Sequence, residues 1–322
     1  MMKTALSGKT ILPFLLVFFS SVTWHACTKV SGPSPVITSN HTITGVVSMG
    51  TNTTLLSQAL ARTGLDSIFN QPGPYTFFVL TDNVLAASGI TQSVLSSYPD
   101  SVIRNLILYH TLAGEAVYSA NFPPGPNYKI IMANGDSVFT TTNGYGFFIN
   151  GFQVTSTDVS ASNGLIDLIS HVLFPPSGMI LETLQSDSSY SLLLAALTRA
   201  SQGASNLDSI LATGGPFTLF APVNSAFTAA GFGSVTDINN ANPDSLANIL
   251  SYHILTRRYF TSDMVIGDSP VSLNDSSFTV IGPANNSWQV KGKGNMTPSN
   301  IITQNMMAHN GVLQSVDQVM IP

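Results

Sequence analysis

The chain has 322 residues, 44% of them apolar and only 8% charged, with a formal net charge of -5. That length leaves room for two ordinary domains, and so much apolar content with so little charge excludes a disordered chain. The charged fraction is about a third of the ~25% usual in soluble domains, and without a basic stripe the electrostatic footprint of a nucleic-acid binder is missing.

In chain order, residues 1–10 carry Lys3 and Lys9 and no acid, and residues 11–22 (ILPFLLVFFSSV) form a mostly apolar run. The run is too short for a ~30 Å hydrocarbon core, which takes ~20 residues. It has the length and flanks of a signal peptide's central region. No later apolar stretch has spanning length, so no transmembrane helix is expected. Cys27, the single cysteine, follows Ala26 and precedes the polar stretch TKVSGP. This arrangement resembles the lipobox of Bacteroidetes-like lipoproteins, although Trp24 and His25 stand where that motif usually has other residues. The resemblance implies that residues 1–26 are a lipoprotein signal peptide and that Cys27 is acylated. The exported protein would then be held at the outer membrane of the cell envelope, on its surface or periplasmic face. Acylation also consumes a thiol that would otherwise be unpaired in an oxidising compartment. The alternative is a soluble secreted protein whose cysteine leaves with its signal. Residues 27–44, rich in Pro, Ser and Thr, read as a flexible tether.

From there the sequence repeats itself. LDSIFNQPGPYTFFVLTDNVL, from Leu65, returns as LDSILATGGPFTLFAPVNSAF from Leu207. NLILYHTLAGE (105–115) answers NILSYHILTRR (248–258), and NGLIDLISHVLFP (163–175) answers NGVLQSVDQVMIP (310–322). The offsets are 142, 143 and 147 in the same order, which means duplicated domains, 45–176 and 177–322. Each copy opens with helical periodicity, 55–69 with Leu56, Leu60 and Ile68 on one side, and 181–198 with Leu184, Leu192, Leu193 and Leu197. A Gly-Pro turn and a short buried strand follow, YTFFVL or FTLFAP. Asp82 and Asn224 stand where the next helix should be N-capped. Asp100 and Asp244 open a further helix. Short segments between Gly and Asn turns, among them KIIM, SVFTTT, FQVTSTDV and WQVKG, read as strands. Helices first and strands later is the α+β pattern.

At these residues the chain resembles the fasciclin (FAS1) family. TLFAPVNSAF (218–227), ending on Phe227, is close to that family's first motif, and TFFVLTDNVL (76–85) is its divergent counterpart. Tyr109-His110 and Tyr252-His253 match its second landmark, and the Asn163-Gly164 and Asn310-Gly311 segments match its third. The resemblance implies two tandem modules, each a wedge of two β-sheets with packed helices.

Catalytic signatures are missing. No two of the six histidines, His25, His41, His110, His171, His253 and His309, stand at metal-ligand spacing. Neither a nucleophile elbow nor a phosphate loop occurs, so no enzyme activity, cofactor or metal is expected. In fasciclin relatives the Tyr-His pair is linked to adhesion-receptor binding, which makes Tyr109, His110, Tyr252 and His253 candidate binding residues. A buried histidine bonded to backbone is the competing role, favoured by the flanking leucines. Tyr145, Phe147, Phe148 and Trp288 offer flat faces suited to sugar stacking, with core packing as their alternative. Five Asp-Ser-aliphatic triplets, from Asp66 to Asp244, resemble O-glycosylation acceptors, yet Asp and Ser also start helices and turns. The expected function is a non-catalytic, lipid-anchored envelope protein that binds surface glycans or proteins. A structural or accessory subunit of an outer-membrane assembly is the alternative.

Overall fold

A computed structural model describes residues 39–284 and 287–322. Cys27 and the signal-like segment lie outside the described residues. Among the described residues, no helix is long and apolar enough to cross a membrane.

The first copy opens with α1 (Ile43–Met49), α2 (Thr54–Thr63) and α3 (Leu65–Ile68). Gly64, at φ 69, closes α2 by donating its N–H to the carbonyls of Leu60 and Ala61, a conformation glycine adopts at no steric cost. That break turns Ile68 outward, whereas Leu56 and Leu60 are buried as the spacing predicts. Then come β1 (Tyr75–Val79), α4 (Asp82–Ala87), α5 (Gln92–Ser97), α6 (Asp100–Tyr109) and β2 (Thr111–Ala113), followed by β3 (Gly125–Ile131), β4 (Ser137–Asn143), β5 (Gly146–Ile149), β6 (Phe152–Ala161) and β7 (Gly164–Ile169). The strand order is β2-β1-β7-β6-β5-β4-β3, with β1 and β7 parallel.

The wedge arises in β6. Phe152 and Gln153 pair with β5 and the residues from Val154 onward with β7, and register shifts at Val154/Ser156 and Ser156/Val159 follow directly on the changeover. Such bulges bend a strand and increase its twist, so one strand serves both sheets.

The second copy repeats this plan with α7 (Ile180–Gln185), α8 (Ser191–Ala200), α9 (Leu207–Thr213), β8 (Phe217–Pro222), α10 (Asn224–Ala229), α11 (Val235–Asn240), α12 (Pro243–Tyr252) and β9 (Ile254–Leu255). It ends with β10 (Thr279–Ala284), β11 (Ser287–Lys291), β12 (Ser299–Ala308) and β13 (Gly311–Val316), in the order β10-β11-β12-β13-β8-β9. One difference from the sequence reading and one difference between the copies stand out. The helix expected over 181–198 is broken, because Asp187 turns its carboxylate onto the Ser189 N–H, 2.8 Å away, and such local bonding competes with the helix ladder. The counterpart of β3 is reduced to a single bridge, Val271 to Ser277.

Each copy has its own core, from Ile43 to Leu173 in the first and from Ile180 to Met320 in the second. A further small cluster joins them: Phe139 of the first with Phe260, Met307 and Val312 of the second.

Candidate functional site

The Tyr-His pairs close the last turns of α6 and α12, and all four side chains are buried. Nε2 of His110 accepts the Leu173 N–H at 3.0 Å, and Nε2 of His253 accepts the Met320 N–H at 2.8 Å. A backbone N–H can only donate, so Nδ1 carries the ring proton and donates to Leu106 or Ile249 carbonyl oxygen, each at 2.8 Å. Burial pushes both imidazoles down to about 4, against the smaller opposing effect of those carbonyls. The tyrosine hydroxyls donate to the carbonyls of Ser137 and Ser277 at 3.0 and 2.7 Å. The structure thus corrects the reading of Tyr109, His110, Tyr252 and His253 as a binding surface: each ring lies inside the domain and fastens helix to chain end. The flanking leucines were the signal for this competing role.

Asp82 and Asn224 also differ from expectation. The helices that begin at these residues are preceded by Thr81 and Val223, and only Thr81 lends a side-chain cap. The Asp82 carboxylate instead accepts the Thr54 and Leu55 N–H groups at 3.0 and 2.9 Å, at the start of α2. Asn224 Oδ1 accepts the Leu192 N–H at 2.9 Å, at the start of α8. Both residues cap an earlier helix, a tertiary contact that local spacing cannot reveal. Phe227 packs in the core beside them.

Asn163 and Asn310 tie three segments together. Asn163 Oδ1 accepts the Ile43 N–H at 2.9 Å, and its Nδ2 donates to Phe69 and Gln71 carbonyls at 2.7 and 2.8 Å. Asn310 does the same with Ile180, Leu211 and Gly214, each at 2.8 Å. Beside them a Cβ on Gly164 or Gly311 would collide with the carbonyl of Tyr75 or Phe217 on the parallel partner strand. The Asp-Ser-aliphatic triplets fall in the first turns of α3, α6, α9 and α12 and in the turn before β4.

Three of the four aromatics are brought together, Tyr145 exposed and Phe148 and Trp288 half-buried, with Trp288 also packed against the second domain's core. Tyr145, which is 79% exposed, Phe148 and Trp288 line one open groove of about 430 Å³ between the domains. Phe147 is not among them; it points into the core and stacks on Phe122 at 4.7 Å, since alternate residues of a strand face opposite sides. The first domain adds Phe152 and His171, whose rings stack at 4.4 Å, together with Gln153; the second adds Val265, Ile266, Pro283 and Gln304. Among the described residues, no Asp, Glu, Lys or Arg lines this groove.

A clasp absent from the sequence reading fixes its walls. Asp263 Oδ1 accepts the Thr141 hydroxyl at 2.8 Å, and Oδ2 accepts Asn127 Nδ2 at 3.3 Å, both from the first domain. Asn143 Nδ2 donates to the Ser262 carbonyl at 3.0 Å, and the Arg258 guanidinium lies 4.2 Å above the Phe139 ring. Gly151, at φ 80, approaches Asn305 so closely that a Cβ would meet its amide nitrogen at 2.5 Å. Burial raises the Asp263 carboxyl, against these opposing hydrogen bonds. Nothing in the spacing of Asp263 marks it, because its partners lie 122 and 136 residues away.

Among the described residues, no group of three or more His, Cys, Asp or Glu side chains is gathered to hold a metal ion. The profile of the Fasciclin domain matches residues 51–175 and 188–322. Similar proteins include transforming growth factor-beta-induced protein ig-h3 of Sus scrofa, 25% identical over 255 residues, 78% of this chain and 35% of that one. Protein sll1483 of Synechocystis sp. is 32% identical over 145 residues, 44% of this chain and 73% of that one. A solved FAS1 domain pair from the insect cell adhesion molecule Fasciclin I aligns with a TM-score of 0.41 and 16% identity, covering 87% of this chain and 96% of that one. The chain spans about a third of the length of the ig-h3 protein.

Proposed function

The chain belongs to the fasciclin domain family, and on that premise we propose that it is a non-catalytic envelope protein acting in adhesion or ligand binding. Its binding surface is the interdomain groove. The observation that carries this reading is the convergence of Tyr145 and Phe148 from one domain with Trp288 from the other on one solvent-open cleft. Ligand sites favour concave, mostly apolar clefts at domain interfaces, and large aromatic rings dominate recognition surfaces.

Export and anchoring through acylated Cys27 belong to the same proposal. The described chain starts beside the turn joining β6 to β7, where the Ser162 N–H bonds to the His41 carbonyl at 2.7 Å. The groove touches Phe152, at the other end of β6.

The test is binding of the purified full chain to a glycan array and to intact cells, beside a Tyr145→Ala/Trp288→Ala variant of unchanged melting temperature. Loss of binding in the variant supports the reading. Equal binding by both proteins removes the groove from the function. A stoichiometric protein partner retained through purification, with neither glycans nor cells bound, favours an accessory subunit instead.

A further inference from the structure

We propose that the groove takes a neutral saccharide, a short stretch of uncharged pyranose rings; this rests on the reading of the groove as the binding surface. The first ground is charge. Among the described residues, the lining carries no carboxylate, ammonium or guanidinium, and His171, stacked on Phe152, is held toward its neutral form by burial. An acidic ligand entering here would leave its hydration without gaining an ion pair.

The second ground is the polar groups that remain. Gln153 from the first domain and Gln304 from the second line the groove, and among the described residues neither side chain finds a hydrogen-bond partner. An amide offers both donors and acceptors. A sugar hydroxyl is likewise both, so each amide can serve vicinal hydroxyls whichever way they are turned. The aromatic faces of Tyr145 and Trp288 supply the apolar contact for the C–H face of a pyranose, with a polar edge left to water.

The third ground is what the surroundings disfavour. The guanidinium groups of Arg257 and Arg258 line an adjoining cavity of about 620 Å³ that shares Tyr145, Ser262, Met264 and Val265 with the groove, and there Asp263 and Asp268 accompany them. An extended peptide would need an open edge on β10, but there Val280 already exchanges backbone hydrogen bonds with Gly267 and Asp268, each at 2.8 Å, and Pro283 in the same strand has no N–H to donate.

The test uses the full chain carrying Trp24→Phe. The protein has two tryptophans, so Trp288 becomes the sole indole reporter, and it sits in the groove. Neutral glucan and mannan oligomers, the same backbones bearing uronic acid, and apolar peptides are titrated in turn. The expected result is a saturable shift of Trp288 emission with neutral oligomers alone, weakened about tenfold or more by Gln153→Ala/Gln304→Ala, as loss of the two amide contacts requires. Gln153 is exposed and Gln304 half-buried, and melting curves of the variant check the fold. A shift with uronic-acid oligomers or peptides but not with neutral ones overturns the ligand class and leaves the groove as the site. Neutral oligomers that bind without moving Trp288 and without loss in the glutamine variant overturn both. Absence of binding by every neutral oligomer overturns the proposal.

Discussion

The N–H of Asp158 donates to Oδ1 of Asp167 at 2.7 Å, and at the matching place in the second domain the N–H of Asn305 donates to Oε1 of Gln314 at 2.8 Å. Both donors are bulge residues at positive φ, 64° and 59°, so each bond pins the bend that makes the wedge. The pairs differ in their second atom. Gln314 Nε2 donates to the Tyr259 carbonyl at 3.2 Å and to Asn305 Oδ1 at 3.0 Å. Oδ2 of Asp167, in the same position on its strand, is buried without a partner. Two carboxyl groups stand where the second domain has two amides, and burial, aided by the charge of Asp158, pushes Asp167 up to about 7 from 3.8.

That pair gives the first domain a pH response of definite sign. Between about pH 4 and pH 7 folded Asp167 keeps a proton that the unfolded chain has released. The folded state binds more protons, so this contribution to stability falls as pH rises through that window. Asp167→Asn keeps an acceptor for Asp158 and supplies the missing donor. The variant is expected to melt higher than wild type at pH 8, by a few kcal/mol at most, and to converge with it near pH 4. A difference between the two proteins that stays constant across this range would contradict the assignment.

His110 and His253 act in the opposite direction. Their folded values of about 4 lie below the ordinary 6.5, so the unfolded state takes up protons first. The stability they contribute is complete above about pH 6.5 and is lost as pH falls toward 4. His253→Phe is expected to cost about 3 kcal/mol at pH 7, because it orphans the buried Met320 N–H. It should also show a smaller loss of melting temperature between pH 7 and 4.5 than wild type does. Asp208 and Asp263 are raised by burial in the same sense as Asp167, so only the difference between variant and wild type isolates the imidazole.

Asn310→Ala removes one acceptor and two donated hydrogen bonds from backbone groups of two other segments, Ile180 and the Leu211–Gly214 turn. A loss of about 3 kcal/mol or more is expected in denaturant unfolding. Asn310→Asp, which retains the acceptor for Ile180, should recover part of it. Equal stability of all three proteins would show that water replaces the asparagine.

Asp263→Ala opens the clasp without touching either domain's main core. The first domain's own melting transition should stay, while the second's should fall by about 1 kcal/mol, because Asp263 also accepts the Phe260 N–H at 3.0 Å. The radius of gyration from small-angle scattering should rise as the domains part, and the groove should lose affinity with it. An unchanged scattering profile would mean that the Phe139, Phe260, Met307 and Val312 cluster and the contacts of Asn143 and Arg258 hold the domains without Asp263.

Much of this architecture was legible in the sequence, because repetition and short-range chemistry are written locally. Two copies, helices before strands, and the buried β1 and β8 followed from spacing and turn residues. Convergence of Tyr145, Phe148 and Trp288 was not legible as geometry, since alternation in β5 alone cannot say which aromatic faces out; there Phe147 and Phe148 part company. The caps supplied by Asp82 and Asn224 were misplaced for a related reason: a side chain beside one helix can serve the N–H groups of another. Asp263 carried no local signal, because its meaning lies in a domain contact. The Asp167/Gln314 difference was visible as letters, but its consequence needs the bulge above it.

The most direct measurement of the central claim is amide hydrogen exchange of the full chain with and without the neutral oligosaccharide that binds it most tightly on an array. A composite groove predicts protection confined to Tyr145–Gln153 in the first domain and Thr261–Ile266 in the second, appearing together and saturating together. Protection limited to one domain, spread over the helical faces, or absent at saturating ligand would contradict it.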